Sequence, residues 1–167
     1  ICAEPVRRPI RIVLLLLAIV GAAVLLVGVT SKLYRIPSSA MEPTLHCPRP
    51  DLGCRADEAD RIVVSRVLYK MRDPKRGDIV AYRLPEAGAA RCGSLPGATF
   101  IHRIAAVPGD RFALPGGTRT IPRDRYVVLG DNRTQSCDSR AWGLLPRDRI
   151  IGPRIATYWP VDRLSIG

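Results

Sequence analysis

The chain has 167 residues and a formal net charge of +11, from 26 basic and 15 acidic residues, and 47% of it is hydrophobic. The longest apolar stretch, residues 12–31, carries no charge, and no second run of that length follows. These features exclude an ordinary cytosolic globular protein, a disordered chain and a transporter with several membrane spans. They leave one membrane anchor and one domain, residues 32–167, which is large enough for a single hydrophobic core.

Residues 12–31 predict a transmembrane helix, because about 20 helical residues span about 30 Å, the thickness of the hydrocarbon core of a bilayer. A cleavable signal peptide has a shorter apolar stretch that ends in a small-x-small site, and residues 30–34 offer no such site. A buried core helix is the other alternative, but a helix without a polar face does not fit so small a domain.

The charges around the apolar run predict its orientation. Three Arg residues precede it and two basic residues follow closely, so the positive-inside rule favours a cytoplasmic N-terminus. We therefore expect a single-pass plasma-membrane protein with a cytoplasmic segment at 1–11 and an extracytoplasmic domain at 32–167. Because the chain begins at Ile1 and not at Met, we also expect residues upstream of it.

Four of the five cysteines lie in the expected outer domain, where disulfides can form. Cys47 and Cys54 bracket a short segment that contains Pro and Gly, which favours a bond between them. Cys92 and Cys137 are then left as a second pair, with free buried cysteines as the alternative. Cys2 lies on the expected inner side, where thiols stay reduced.

The excess of basic residues does not predict a nucleic-acid partner. The charges are scattered along the chain, aromatic residues make up only 5% of it, and the domain is expected outside the cytoplasm. An Arg-rich surface beside an anionic lipid bilayer accounts for the charge more simply.

Beyond residue 33, short runs rich in β-branched and aromatic residues alternate with Gly, Pro and Asp, which predicts strands joined by turns. The runs lie at 61–65, 78–82, 99–104, 125–129 and 150–159. No helical period is sustained outside the anchor. We therefore expect a mostly β fold, with a single N-terminal transmembrane helix, an antiparallel β-sheet domain and a surface insertion at 84–98 between two strands.

Three motifs in the outer domain carry chemistry. They are residues 36–45 (IPSSAMEPTL), residues 75–80 (KRGDIV) together with 100–110 (FIHRIAAVPGD), and residues 130–143 (GDNRTQSCDSRAWG). Their order and spacing resemble the boxes of the type I signal peptidases. These membrane-bound serine peptidases of family S26 include the bacterial leader peptidase and remove signal peptides from exported proteins. The resemblance covers essentially the whole chain.

The first motif departs from that family at its nucleophile. The family has Ser directly before Met, and this chain has Ala40 there. Ala has no hydroxyl and cannot form an acyl-enzyme, so the chain as written is expected to be inert in peptide hydrolysis. Ser38 and Ser39 lie nearby, but a one-residue shift on an extended segment turns the side chain elsewhere. We favour a deliberate Ser-to-Ala change, with a natural non-catalytic relative as the alternative.

The resemblance implies that His102 is the general base, as in the Ser/His branch of the family, where most bacterial members have Lys. An imidazole with an ordinary pKa of about 6.5 needs little adjustment to accept a proton, whereas the alternative is a His that only packs in a strand. The third motif implies Asp138 as the residue that orients His102, with Ser136 as second choice. Arg140 is the implied ion-pair partner of Asp138, and a purely structural pair is the alternative.

The remaining roles are also implied by the resemblance. The backbone N–H of Ala40 and the hydroxyl of Ser38 would stabilise the oxyanion. Apolar pockets would hold small side chains of the substrate, and the residues at the family's pocket positions are Tyr34, Ile36, Pro37, Met41, Leu45, Phe100 and Ile101. No cofactor or metal is implied, and the signal peptides of preproteins are the expected partners, without obligate partner subunits.

The sequence thus predicts a membrane-bound serine endopeptidase that cleaves signal peptides after small-x-small motifs through an acyl-enzyme, in an inactive Ala40 form. A non-catalytic membrane-tethered module that binds export substrates is one alternative. A specialised processing peptidase of the same superfamily is the other.

Overall fold

The computed structural model describes residues 7–167, so the expectation for Cys2 and most of the expected segment 1–11 lie outside the described residues. The elements in chain order are α1 (Arg7–Thr30), β1 (Ser31–Arg35), β2 (Arg61–Ser65), α2 (Leu68–Met71), β3 (Ile79–Arg83), α3 (Glu86–Cys92), β4 (Thr99–Ala106), β5 (Arg111–Leu114), β6 (Gly117–Thr120), β7 (Arg125–Leu129), α4 (Ser139–Trp142), β8 (Leu145–Pro146), β9 (Ile150–Trp159) and β10 (Ser165–Ile166). Short 3-10 helices lie between some of them, including Ser39–Met41.

Helix α1 is the one described helix that is long and apolar enough to cross a membrane, by its length and composition. The apolar part, Ile10–Thr30, has 21 residues and a mean hydropathy of 3.2, and none of its most apolar window is buried in the structure. The helix ends at Thr30, one residue before the predicted end. Ser31 already belongs to β1, because its backbone is paired with Ser65 of β2.

The part of the chain after α1 is built on an antiparallel sheet, which confirms the prediction of a mostly β fold. The strand order is β1-β2-β9-β3-β4-β7-β8, with β10 paired to β9, and β5 and β6 form a separate hairpin. The five runs predicted from β-branched and aromatic residues form β2, β3, β4, β7 and β9, the centre of the sheet. Strand β1 was not predicted, because its sequence SKLYR is largely polar and its extended form depends on pairing with β2 at the sheet edge.

Residues 84–98 connect β3 to β4, as predicted, but they are not only a surface insertion. They contain α3, and Leu84 and Ala89 are buried in the main core cluster. The segment is closed at its base by a hydrogen bond from the N–H of Leu84 to the carbonyl of Ala98, at 2.8 Å. Residues 84–98 therefore form part of the packed core beside β4.

Candidate active site

A cleft of about 370 Å³ lies between the segment after β1 and strand β4. Its lining includes Tyr34, Ile36, Pro37, Ser38, Ala40, Met41, Phe100, Ile101 and His102, together with Arg35, Cys92, Thr99, Gln135 and Cys137. The first and second sequence motifs, which are about 60 residues apart in the chain, thus meet in one cavity. Leu45 differs from the sequence expectation. It packs in a core cluster with Ile62 and Val64 and is buried there, because the turn after Met41 carries it under the sheet.

Ala40 lies in the middle of the 3-10 helix Ser39–Met41, so its N–H belongs to the first turn and needs a partner from outside the helix. The carbonyl of Ala40 accepts a hydrogen bond from the N–H of Asn132, at 3.0 Å. Close packing continues at Gly130, where an added Cβ would overlap the Ser136 hydroxyl and reach 2.5 Å from the Ala40 carbonyl oxygen. Residue 40 and Ser136 therefore face each other across a position that only Gly can occupy.

His102 is buried, with 1% of its surface exposed. Alternation along β4 turns its side chain to the same face as Ile104 and Ala106, which are also buried. Its Nε2 lies 3.2 Å from the Ser136 hydroxyl, and its Nδ1 lies 2.8 Å from the Tyr82 hydroxyl. Both ring nitrogens therefore have polar partners inside the protein.

Tyr82 was missed by the sequence reasoning. In the β3–β4 register Val80 lies opposite His102 and Tyr82 lies opposite Phe100. Paired residues share a face, so Tyr82 and His102 are diagonal neighbours on the inner face of the sheet. The alternation of β3 could have suggested an inward Tyr82 only if the register had been known, since Tyr82 and His102 are 20 residues apart.

Asp138 does not occupy the position expected of a direct partner of His102, because Tyr82 and Ser136 take the two ring nitrogens. Its carboxylate accepts hydrogen bonds from Arg140 Nε at 2.9 Å and from the N–H of Gly130 at 3.0 Å. Asp138 thus makes its hydrogen bonds to Arg140 and Gly130 and not to the ring of His102, on which it acts through its charge.

Burial and hydrogen bonding together set the protonation of His102 and Asp138. Removal of water from the imidazolium lowers the pKa of His102 to about 4, and the charge of Asp138, which acts in the opposite direction, offsets only part of that effect. Burial alone would raise the pKa of Asp138, but hydrogen bonds from Arg140 and Gly130 outweigh it, and the pKa of this carboxyl lies below its ordinary value. A neutral His102 therefore lies beside an ionised Asp138 at neutral pH.

Asp131 and Asn132 of the third motif make specific contacts with the other two motifs. Asp131 forms an ion pair with Arg103 of β4, at 2.6 Å between Oδ2 and an Arg103 terminal nitrogen. Asn132 contacts the carbonyl of Ala40, as described above. The third motif is thus attached on one side to the strand that carries His102 and on the other to the segment that carries residue 40.

Two disulfides are formed, Cys47–Cys54 and Cys92–Cys137, with the pairing that the sequence favoured. The second joins α3 to the segment between Ser136 and Asp138, and both of its cysteines line the cleft. The first lies beside the buried carboxylate of Glu42. Among the described residues, Glu42 and these two cysteines lie close enough together to be considered as metal ligands. The two sulfur atoms are bonded to each other, so they are not available as thiolate ligands.

Comparison with known proteins finds a matching family model and several similar proteins. A family model described as signal peptidase, peptidase S26, matches residues 9–118 and 112–159. The probable signal peptidase I-2 of Synechocystis sp. is 32% identical over 173 residues, which cover 88% of this chain and 73% of the relative. Signal peptidase I of Leptolyngbya laminosa is 33% identical over 153 residues, covering 78% of this chain and 70% of the relative. The thylakoidal processing peptidase 1 of Arabidopsis thaliana is 30% identical, covering 78% of this chain and 42% of the relative.

Proposed function

Because the chain belongs to the signal peptidase family, peptidase S26, we propose that its outer domain is a serine endopeptidase fold that removes signal peptides from exported proteins. The observation that carries the proposal is the cleft whose lining includes Ser38, Ala40 and His102. Its largely apolar walls suit an extended peptide with small side chains at alternate positions before the cleaved bond. Small-x-small sites are therefore the proposed cleavage sites.

Residue 40 is the proposed site of the nucleophile, and the Ala40 chain is the inactive form of the enzyme. A methyl group cannot attack a carbonyl carbon, so no acyl-enzyme forms. A Ser-to-Ala replacement of this residue accounts for the otherwise complete cleft. The backbone N–H of residue 40 is unchanged by that replacement, so it and the Ser38 hydroxyl still supply the proposed oxyanion donors. The Ala40 chain should therefore bind substrates that it does not cleave.

His102 is the proposed general base, since its lowered pKa keeps the imidazole neutral and able to accept a proton at neutral pH. In this mechanism Tyr82 accepts a hydrogen bond from Nδ1–H, which leaves the lone pair of Nε2 directed towards Ser136 and residue 40. Ser136 donates its hydroxyl hydrogen to Nε2 and aligns the ring, while Asp138, paired with Arg140, acts on the ring through its charge. The imidazolium that forms during acylation is stabilised by the nearby charge of Asp138.

The proposed location is the plasma membrane, with the N-terminus in the cytoplasm and the peptidase domain outside. The length and exposed apolar surface of α1 support this anchoring. Tyr34 of the cleft follows Thr30 by four residues, and an extended segment of that length spans about 13 Å. The cleft would thus lie close to the bilayer surface, where substrates are also anchored by their apolar segments.

The test is to replace Ala40→Ser and to supply a preprotein with an Ala-x-Ala site in detergent or lipid. We expect the signal peptide to be released by the Ala40→Ser chain and retained by the Ala40 chain. Adding His102→Gln to the revertant should abolish release if His102 is the base. A folded revertant that cleaves no such preprotein would refute the enzymatic proposal, and cleavage that survives His102→Gln would refute the assignment of the base.

The second candidate function is a non-catalytic membrane-tethered module that binds export substrates. The observation that favours it is Ala40 itself, in a cleft whose other proposed contacts are present. The codon for residue 40 in the genome separates the candidates, because a Ser codon is expected for the enzyme and an Ala codon for the binding module. A peptidase dedicated to one exported protein is distinguished by the range of preproteins that the revertant cleaves.

A further inference from the structure

A second, larger cavity lies where the end of α1 meets the sheet, and we call it the basic groove. It has a volume of about 1,100 Å³ and its lining includes Val29 and Thr30, the last residues of the apolar helix. The charged residues that line it are Lys32, Arg66, Lys70, Arg83, Asp148 and Arg149. Five of these six side chains are cationic, so the groove carries a strong positive potential.

The cations of the groove are not neutralised within the described residues. Among residues 7–167, none of the five takes part in an ion pair, and Lys32 Nζ lies over the ring of Tyr34, 5.5 Å from its centroid. Five Arg side chains elsewhere in the domain have carboxylate partners, namely Arg72, Arg76, Arg103, Arg140 and Arg163, and other exposed ones do not. The groove is distinguished because five cations without an ion-pair partner line one cavity, next to the end of the apolar helix.

Two exposed apolar side chains lie within two residues, in the sequence, of residues that line the groove. Met71 follows Lys70 directly and is 82% exposed, and Leu95 lies two residues before Gly97, another lining residue, and is 79% exposed. Basic residues combined with exposed apolar ones are typical of surfaces that enter the headgroup layer of a bilayer. An opening beside Val29 and Thr30 has the right depth for that layer, since these residues end the apolar span.

We propose that the basic groove binds the phosphate headgroup of an anionic phospholipid in the leaflet that holds the end of α1. The phosphate is held by Arg66, Arg83 and Arg149, and Met71 and Leu95 contact the acyl region. Thr99 lines both the groove and the cleft, so a bound lipid fixes the peptidase domain with its cleft beside the membrane surface. This docking rests on the proposed membrane anchoring but not on catalysis.

The experiment uses the full Ala40 chain in neutral detergent micelles, titrated with phosphatidylglycerol, phosphatidylcholine or inorganic phosphate. Backbone amide shifts of Gly97 and Thr99, two uncharged lining residues, report binding by NMR. We expect saturable shifts with phosphatidylglycerol, and at least tenfold weaker binding of phosphatidylcholine and of phosphate. The triple variant Arg66→Gln/Arg83→Gln/Arg149→Gln should bind phosphatidylglycerol about 100-fold more weakly, and Arg66→Gln alone about 5-fold more weakly.

The matched control is Arg119→Gln/Arg123→Gln/Arg125→Gln, which removes the same charge from exposed residues outside the groove. Its affinity should stay within about threefold of the parent chain. Equal losses in the two triple variants would overturn the proposal in favour of general charge attraction. Equal binding of phosphate would make the groove a free-anion site, and shifts with neither lipid would refute it. If the triple variant fails to fold, the single variant Arg66→Gln decides the question. An unchanged affinity of that variant for phosphatidylglycerol would refute the proposal.

The outcome is separable from that of the proposed function. Lipid binding is measured on a chain without the nucleophile, and preprotein cleavage by the Ala40→Ser chain is measured in detergent without anionic lipid. A loss of groove binding with intact cleavage therefore refutes only the docking, and the reverse result refutes only the enzymatic proposal.

Discussion

His102 should remain neutral far below the pH at which an exposed histidine takes up a proton. The buried ring has a pKa of about 4 because the imidazolium would lose its hydration, a cost that attraction to the carboxylates of Asp138 and Asp131 does not offset, and Arg140 adds a smaller repulsion. At pH 5 a group with that pKa is about 10% protonated, whereas a histidine with the ordinary value of about 6.5 is about 97% protonated. Lowering the pH from 7 to 5 therefore distinguishes the two environments clearly.

The assay is a titration of the imidazole nitrogens by NMR on the full Ala40 chain in detergent micelles. The chain has two histidines, and a His46→Gln variant assigns the remaining signals to His102. We expect a midpoint near 4, with mainly neutral imidazole at pH 5. A midpoint between 6 and 7 would refute the conclusion that burial controls this group.

The same pKa should govern catalysis by the Ala40→Ser chain, because kcat/KM falls on the acid side when the free base becomes protonated. Between pH 7 and pH 5 we expect a loss of less than about twofold, compared with about 25-fold for a base with a pKa of 6.5. An acid limb near pH 6.5 together with an NMR midpoint near 4 would show that a group other than His102 is the base.

Three further comparisons of variants test Tyr82, Gly130 and the two disulfides. In the Ala40→Ser background, Tyr82→Phe should lower kcat between about 5-fold and 150-fold with KM unchanged, because a buried ring nitrogen left unpaired costs about 1–3 kcal/mol. Tyr126→Phe is the control. An unaltered kcat in the Tyr82→Phe variant would exclude Tyr82 as a positioning residue. Gly130→Ala should lower kcat at least tenfold by separating Ser136 from His102, since its Cβ has no room, whereas Gly28→Ala, with open space around it, should have no effect. Thermal unfolding in detergent should show a larger loss for Cys92→Ser/Cys137→Ser than for Cys47→Ser/Cys54→Ser, about 4 against about 2 kcal/mol, because the bonded cysteines are 45 and 7 residues apart. The reverse order would contradict the loop-entropy explanation.

The strands that the sequence predicted are those whose formation depends on local composition. Runs such as 61–65 and 125–129 are dominated by β-branched and aromatic residues and become β2 and β7 of the sheet. Strand β1 and the hairpin β5–β6 lack that composition and depend on their partners. The buried side of residues 84–98 was missed for the same reason, because Leu84 and Ala89 contact residues distant in sequence.

The sequence by itself determined the apolar anchor, the β class, the motif order and the absence of a hydroxyl at residue 40, since each is a property of one short segment. Only the tertiary structure decided that Tyr82 and Ser136 contact His102, that Asp138 is hydrogen-bonded to Arg140 and Gly130 and not to the ring, and that Leu45 packs in the core. These contacts depend on strand register and on three segments that meet around β4. The lowered pKa of His102 has the same origin, because water is excluded from the ring by residues that are separated in the chain and adjacent only in the fold.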